Sequence, residues 1–148
     1  MNIPQITPQD AHVRMTGENP ETYIDVRSVP EFTRGHPEGA VNIPVFHFDP
    51  AQGGMVENPD FLKVVETHFP KDARLLLGCQ VGGRSQKAAE LLFQAGYGNV
   101  ANVQGGFGGM KDPSGRTVAQ GWAELGLPVS ADNGEGVSYE SLAGKSPF

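Results

Sequence analysis

The residues most able to do covalent chemistry are Cys79-Gln80-Val81-Gly82-Gly83-Arg84-Ser85, which hold the chain's single cysteine. An apolar run, Leu75-Leu76-Leu77-Gly78, precedes them and a helical pattern from Gln86 to Ala95 follows. The order implied is a strand, a tight glycine-bearing loop and a helix N-terminus. Successive N–H groups in such a loop can converge on one point and cradle an anion. The same donors, the helix dipole and the charge of Arg84 favour thiolate over thiol. A lone cysteine is often only a buried structural residue. In this loop chemistry it reads instead as a nucleophile acting on an anionic substrate.

The spacing narrows the chemistry. Four residues separate Cys79 from Arg84. Phosphatase-type cysteine loops have five residues between cysteine and arginine, because they encircle a tetrahedral phosphate or arsenate. By that rule the arginine would stand where this chain has Ser85. The shorter ring suits a single outer sulfur atom. No general base is needed for a thiolate nucleophile, and no cysteine–histidine pairing motif is present. His12, His47 and His68 lack ligand spacing among themselves and one cysteine is far from a zinc set, so no metal site is expected.

The elements that must position this loop alternate in type. Thr7-Pro8 reads as the cap and first residue of a helix running to about Met15 and stopped by Gly17. Thr22 to Val26 reads as a strand and Glu31 to Arg34 as a helical turn closed by Gly35. A short strand from Ala40 to Ile43 follows, then a loop from Phe46 to Glu57. Asn58-Pro59 opens a helix with Phe61, Leu62, Val64, Val65 and Phe69 on one side. Arg74 to Leu77 reads as a strand buried on both faces. Asn99 to Val103 reads as another strand, and Val118 to Leu125 as a last helical stretch. Strands alternating with helices give an α/β class with a central, mostly parallel sheet flanked by helices on both faces. Ligands of such sheets bind beyond the carboxyl ends of the strands, which is where Cys79 falls.

Length and composition set the outer bounds. The 148 residues suffice for one domain with a real core. Residues 1–128 are expected to form it, and 129–148 a flexible or surface-docked tail. A net charge of −6 leaves no broad basic surface for nucleic acid. No run approaches the roughly 20 apolar residues of a membrane span, and the N-terminus carries no visible secretory signal. One cysteine cannot form an internal disulfide, so a reducing cytoplasm is expected.

Several segments together resemble the rhodanese family of sulfurtransferases, whose active loop runs Cys-x-x-Gly-x-Arg followed by Ser or Thr. Cys79, Gly82, Arg84 and Ser85 fit it. Ile24-Asp25-Val26-Arg27 with Glu31-Phe32, the run Gly35 to Pro44, and Asn102-Val103-Gln104-Gly105-Gly106-Phe107 are similar to the family's other signatures, in the same order. The chain is most similar to single-domain thiosulfate sulfurtransferases of plants and their bacterial relatives, over about residues 6 to 128. It departs from them at Pro37-Glu38 and by an insertion at about 108–120 before Trp122.

The resemblance implies a single rhodanese-like domain that moves a sulfane sulfur from thiosulfate, or another persulfide donor, through a Cys79 persulfide to cyanide or a thiol, with no metal or organic cofactor. Gln80, Val81, Gly82, Gly83, Arg84 and Ser85 would bind the transferred sulfur, with Gly82 and Gly83 permitting the tight winding. Asp25, Arg27, His36 and Asn102 would support the loop: Asp25 as the partner of Arg84 where that arginine braces the loop rather than holding the substrate anion, Arg27 as a salt bridge or substrate contact, His36 as a structural hydrogen-bonding histidine. Asn102 would fix the backbone beside the loop. Phe107 and Trp122 read as core or rim packing rather than pocket wall. Three alternatives remain at this level: a sulfur relay fed by a protein persulfide, a regulatory module that binds a protein partner, and a phosphatase or arsenate reductase on the same fold.

Overall fold

The most apolar stretch of the chain, Leu75-Leu76-Leu77, forms the middle of a parallel sheet in the computed structural model, which describes residues 3–144. In chain order the first elements are β1 (Gln5–Ile6), α1 (Pro8–Thr16), β2 (Thr22–Asp25), α2 (Val29–Arg34), β3 (His36–Pro37) and β4 (Val41–Asn42). A hairpin of β5 (Phe46–Asp49) and β6 (Gly54–Glu57) leads to α3 (Phe61–His68), β7 (Leu75–Gly78), α4 (Gly83–Gln94) and β8 (Val100–Val103). The last part holds β9 (Met110–Lys111), β10 (Thr117–Ala119), β11 (Val129–Ser130) and α5 (Tyr139–Ala143).

The five-stranded sheet runs β1-β8-β7-β2-β4, and every neighbouring pair in it is parallel. Strand alternation divides the core in two. Leu75 and Leu77 face one side with Phe61, Val65, Ala88 and Leu92, whereas Leu76 faces the other with Ala11, Phe32 and Trp122. Each of these buried leucines contributes about 2 kcal/mol of burial free energy. That weight fixes β7, and with it the end of the strand where Cys79 begins.

Local signals start the helices. Thr7 Oγ1 accepts from Asp10 N–H at 3.1 Å and caps α1, with Pro8 at its first position. At α2, Glu31 Oε1 accepts from both the N–H and the hydroxyl of Ser28, at 3.2 and 2.8 Å. This reciprocal cap starts α2 at Val29, earlier than the expected Glu31. Helix α4 likewise starts earlier, at Gly83, because Gly82 serves as its cap with φ +130°.

Two expectations are corrected. Residues 46–57 are a hairpin, not a loop. Phe48 pairs with Met55, and a turn at Pro50–Gln52 is closed by Asp49 Oδ1 accepting from Ala51 N–H at 3.0 Å. The stretch 118–125 is not a helix: Thr117 and Ala119 pair with Lys111 and Met110. Asp112 Oδ1 folds the intervening turn by accepting from Ser114 and Arg116 N–H. Gly121 then leads into successive turns, where Trp122 buries its ring and donates its indole N–H to Pro128 O at 2.6 Å. The first strand, β1, lay outside the expected elements because two residues carry no periodicity.

The tail from 129 to 144 docks on the domain. β11 pairs antiparallel with β3, Asn42 N–H donates to Val137 O at 2.9 Å, and α5 packs on α3 with Leu142 buried. Positions 145–148 lie outside the described residues. Among the described residues no helix is long and apolar enough to cross a membrane.

Candidate active site

Cys79 is the first residue beyond β7 and is only 1% exposed. Its Sγ accepts from the Gly82 N–H at 3.1 Å and lies 3.3 Å from Ser85 Oγ. The loop's carbonyls are held on the opposite side. Cys79 O accepts from Phe107 N–H at 2.8 Å, Gln80 O from Gly108 N–H at 2.9 Å, and Val81 O from Gly105 N–H at 3.1 Å. A trans peptide sets each N–H opposite the preceding carbonyl. The N–H groups of Gln80, Val81 and Gly82 are therefore turned away from residues 105–108. The first amides of α4 have no partner one turn back in the helix. Together they make an electropositive rim at a helix N-terminus.

The two glycine motifs meet here. Gly82 alone supplies the unusual backbone angle within the loop, and Gly83 is ordinary helix, which corrects the expectation that both do so. Gly106 lies so close to the loop that a Cβ there would overlap Cys79 O. The glycine pair thus lets a second backbone segment press against the first.

Arg84 braces the loop through a partner other than the expected Asp25. Its Nη1 and Nη2 donate to Glu31 Oε1 and Oε2 at 2.8 and 3.0 Å, a two-pronged pair tying α4 to α2. Burial works against the Glu31 carboxylate, but hydrogen bonds from Arg84 and Ser28 outweigh it and lower its pKa from 4.5 to about 2. The same bond to Glu31 raises the pKa of Arg84. Asp25 could not serve because Arg27 occupies it. Arg27 Nε and Nη2 donate to Asp25, at 3.0 and 2.8 Å for the closest contacts, and both residues are almost fully buried. Arg27 also donates to Gly35 O at 2.7 Å and to Gln80 Oε1 at 3.2 Å, and lies 4.5 Å over the Phe107 ring.

At the mouth is a cavity of about 340 Å³ lined by Arg27, Glu31, Arg34, Gly35, Gln80 and Phe107. Phe107 thus forms pocket wall, while Trp122 is wholly core. A second cavity, of about 220 Å³, lies between α3 and α5 among Asp60, Lys63 and Tyr139, away from the cysteine. His36 is buried and stacked on Phe32, with ring nitrogens 2.9 Å from Pro37 O and 2.6 Å from Asp132 O. It joins β3 to the tail. Asn102 bonds a side chain rather than backbone: its Oδ1 accepts from Ser85 Oγ at 2.5 Å. Among the described residues no cluster of three or more His, Cys, Asp or Glu could hold a metal ion.

Sequence reasoning missed Glu31 as the brace and Gln5 as a neighbour of Asn102. The first had a visible signal, Ser28-Val29-Pro30-Glu31, which is a helix-start box that places Glu31 on the first turn. Gln5 had none, since it approaches only through the pairing of β1 with β8.

The family model described as Rhodanese-like domain matches residues 7–112. Thiosulfate sulfurtransferase 16, chloroplastic, of Arabidopsis thaliana is 39% identical over 109 residues, covering 74% of this chain and 79% of that protein. Thiosulfate sulfurtransferase 18 of the same plant is 45% identical over 115 residues, covering 76% and 74%. The chain spans about half the length of some other curated relatives. Among solved structures, that of Rv0390 from M. tuberculosis superposes with a TM-score of 0.72 at 27% identity, covering 89% of this chain and 100% of that one.

Proposed function

Since the chain belongs to the rhodanese-like domain family, we propose that it is a sulfurtransferase that carries a sulfane sulfur on Cys79. The observation that carries this reading is the Cys79 sulfur held by the Gly82 amide at the N-terminus of α4. In the first half-reaction the Cys79 thiolate attacks the outer sulfur of thiosulfate. A new S–S bond forms, the old sulfur–sulfur bond breaks, and sulfite leaves with the electron pair. In the second, cyanide or a thiolate attacks the outer sulfur and Cys79 leaves as thiolate. No external oxidant or reductant is required. Amides of Gln80 to Ser85 serve the transferred sulfur as donors, and Arg84, through Glu31, keeps the loop wound. A reducing compartment such as the cytoplasm suits a lone nucleophilic thiol.

A second reading, in which a persulfide on a protein partner is the donor, draws support from the charges. Arg27 and Arg84 are each paired with a carboxylate and Arg34 stands on the exposed rim of the mouth, which leaves little unpaired charge beside the buried thiol for a dianion. The test of the main reading is direct. Cys79→Ser abolishes thiocyanate formation from thiosulfate and cyanide, and treatment of the wild-type protein with thiosulfate adds the mass of one sulfur atom at Cys79. Activity persisting in Cys79→Ser would overturn it. Faster loading from a protein persulfide than from thiosulfate would select the second reading, and turnover of a phosphate ester or arsenate would point to a phosphatase or arsenate reductase.

A further inference from the structure

The Ser85 hydroxyl has one proton and three acceptors near it: Asn102 Oδ1 at 2.5 Å, Gly82 O at 3.2 Å and Cys79 Sγ at 3.3 Å. Which acceptor receives the proton is decided far from the sulfur. Gln5 Nε2 donates to Ile3 O at 3.2 Å and to Gln86 Oε1 at 2.6 Å. Gln86 in turn directs its Nε2 to the Glu90 carboxylate at 2.9 Å. A backbone carbonyl and a carboxylate only accept, so both outer ends of the chain fix the same direction. Gln5 must turn its Oε1 toward Asn102, and it accepts from Asn102 Nδ2 at 2.8 Å. Asn102 then has only its Oδ1 to offer Ser85.

We infer that Gln5 is a positioning residue: by fixing the direction of the Asn102 amide it commits the Ser85 proton to Asn102 and withholds it from the Cys79 sulfur. The thiol suits this arrangement, because its S–H can donate to the free lone pair of Ser85. The thiolate gains the Ser85 hydrogen bond only if the hydroxyl swings away and leaves the buried Asn102 oxygen without a donor. Gln5 is itself exposed and touches no reacting atom. Its importance to sulfur transfer rests on the function proposed above, but its effect on the thiol does not.

The other charged or titratable groups near Cys79 are Tyr23 and Asp25 from β2, Arg27 beside them, and the Arg84–Glu31 pair across α4 and α2. None contacts Gln5 in this network, so replacing Gln5 leaves them in place. In Gln5→Ala the Asn102 amide is free to turn over, present Nδ2 to Ser85 and release the hydroxyl proton, which a thiolate takes in preference to Gly82 O because a charged acceptor binds it more strongly. Gln5→Glu keeps an acceptor for Asn102 Nδ2 and so keeps the original direction.

The experiment measures the alkylation rate of Cys79, the sole cysteine, by iodoacetamide as a function of pH above 6 in the intact protein. In Gln5→Ala the half-maximal rate moves to lower pH by about half a unit, read below that point as roughly threefold faster alkylation. In Gln5→Glu it stays at or above the wild-type position. A Gln5→Ala profile that is unchanged or moved upward would overturn the inference, as would a downward shift shared by both variants. Because alkylation needs no sulfur transfer, a protein that forms no persulfide yet shows these shifts refutes the proposed function and leaves the network standing.

Discussion

Replacing Glu31 with Gln is expected to separate the brace from the chemistry it holds. The carboxylate receives two donors from Arg84 and two from Ser28. Glutamine keeps one acceptor oxygen for Ser28, but its NH₂ then faces an Arg84 N–H, donor against donor. The pKa of Glu31 is about 2 against the ordinary 4.5, a gap equivalent to about 3 kcal/mol at most. Partial solvent access reduces this to about 2 kcal/mol, in keeping with loss of a charge-assisted hydrogen bond. For a chain of this size that lowers Tm by about 4–8 °C. The sign with pH follows from the depressed value. The stabilisation is fully present above about 4.5 and is lost as pH falls through about 2. Urea unfolding of wild type and variant should therefore differ by a constant amount from pH 5 to 8, with the difference shrinking toward pH 2. A difference that stays constant down to that pH would refute the ion pair as its source and point to a defect in the α2 cap alone.

Other consequences follow from the same packing. Gly82→Ala forces a side chain onto a backbone at φ +130° and should cost about 1–3 kcal/mol; loading of sulfur on Cys79, followed by mass, should fall with it. Arg27→Ala leaves Asp25 buried without its partner and should cost about 3–5 kcal/mol in urea unfolding. Leu142→Ala removes the anchor of α5 on α3. Hydrogen exchange in α5 should accelerate while β7 and α4 keep their protection, and a uniform loss across the sheet would contradict a separately docked tail.

The strands and helices that were legible share a cause. Leu75-Leu76-Leu77, Thr7-Pro8 and the stop at Gly17 act within a few residues, through burial or a cap, and each stands where its local chemistry sets it. The hairpin of β5 and β6 was hidden because its pairing of Phe48 with Met55 spans a turn that reads simply as glycine and proline. Residues 118–125 misled because Val118, Trp122 and Leu125 fall at helical spacing, whereas Gly121 and the demand to bury Trp122 decide otherwise.

For the candidate site the division is the same. The sequence by itself determined that a lone cysteine stands after a buried strand, ahead of a helix N-terminus and four residues before an arginine, because those relations are local. Only the tertiary structure decided that Arg84 reaches Glu31 rather than Asp25, that residues 105–108 hold the loop's carbonyls, and that Gln5 governs Asn102. These partners lie up to 97 residues apart. A hydrogen bond over such a separation leaves no periodicity or spacing in the chain, since the sheet alone brings its two ends together.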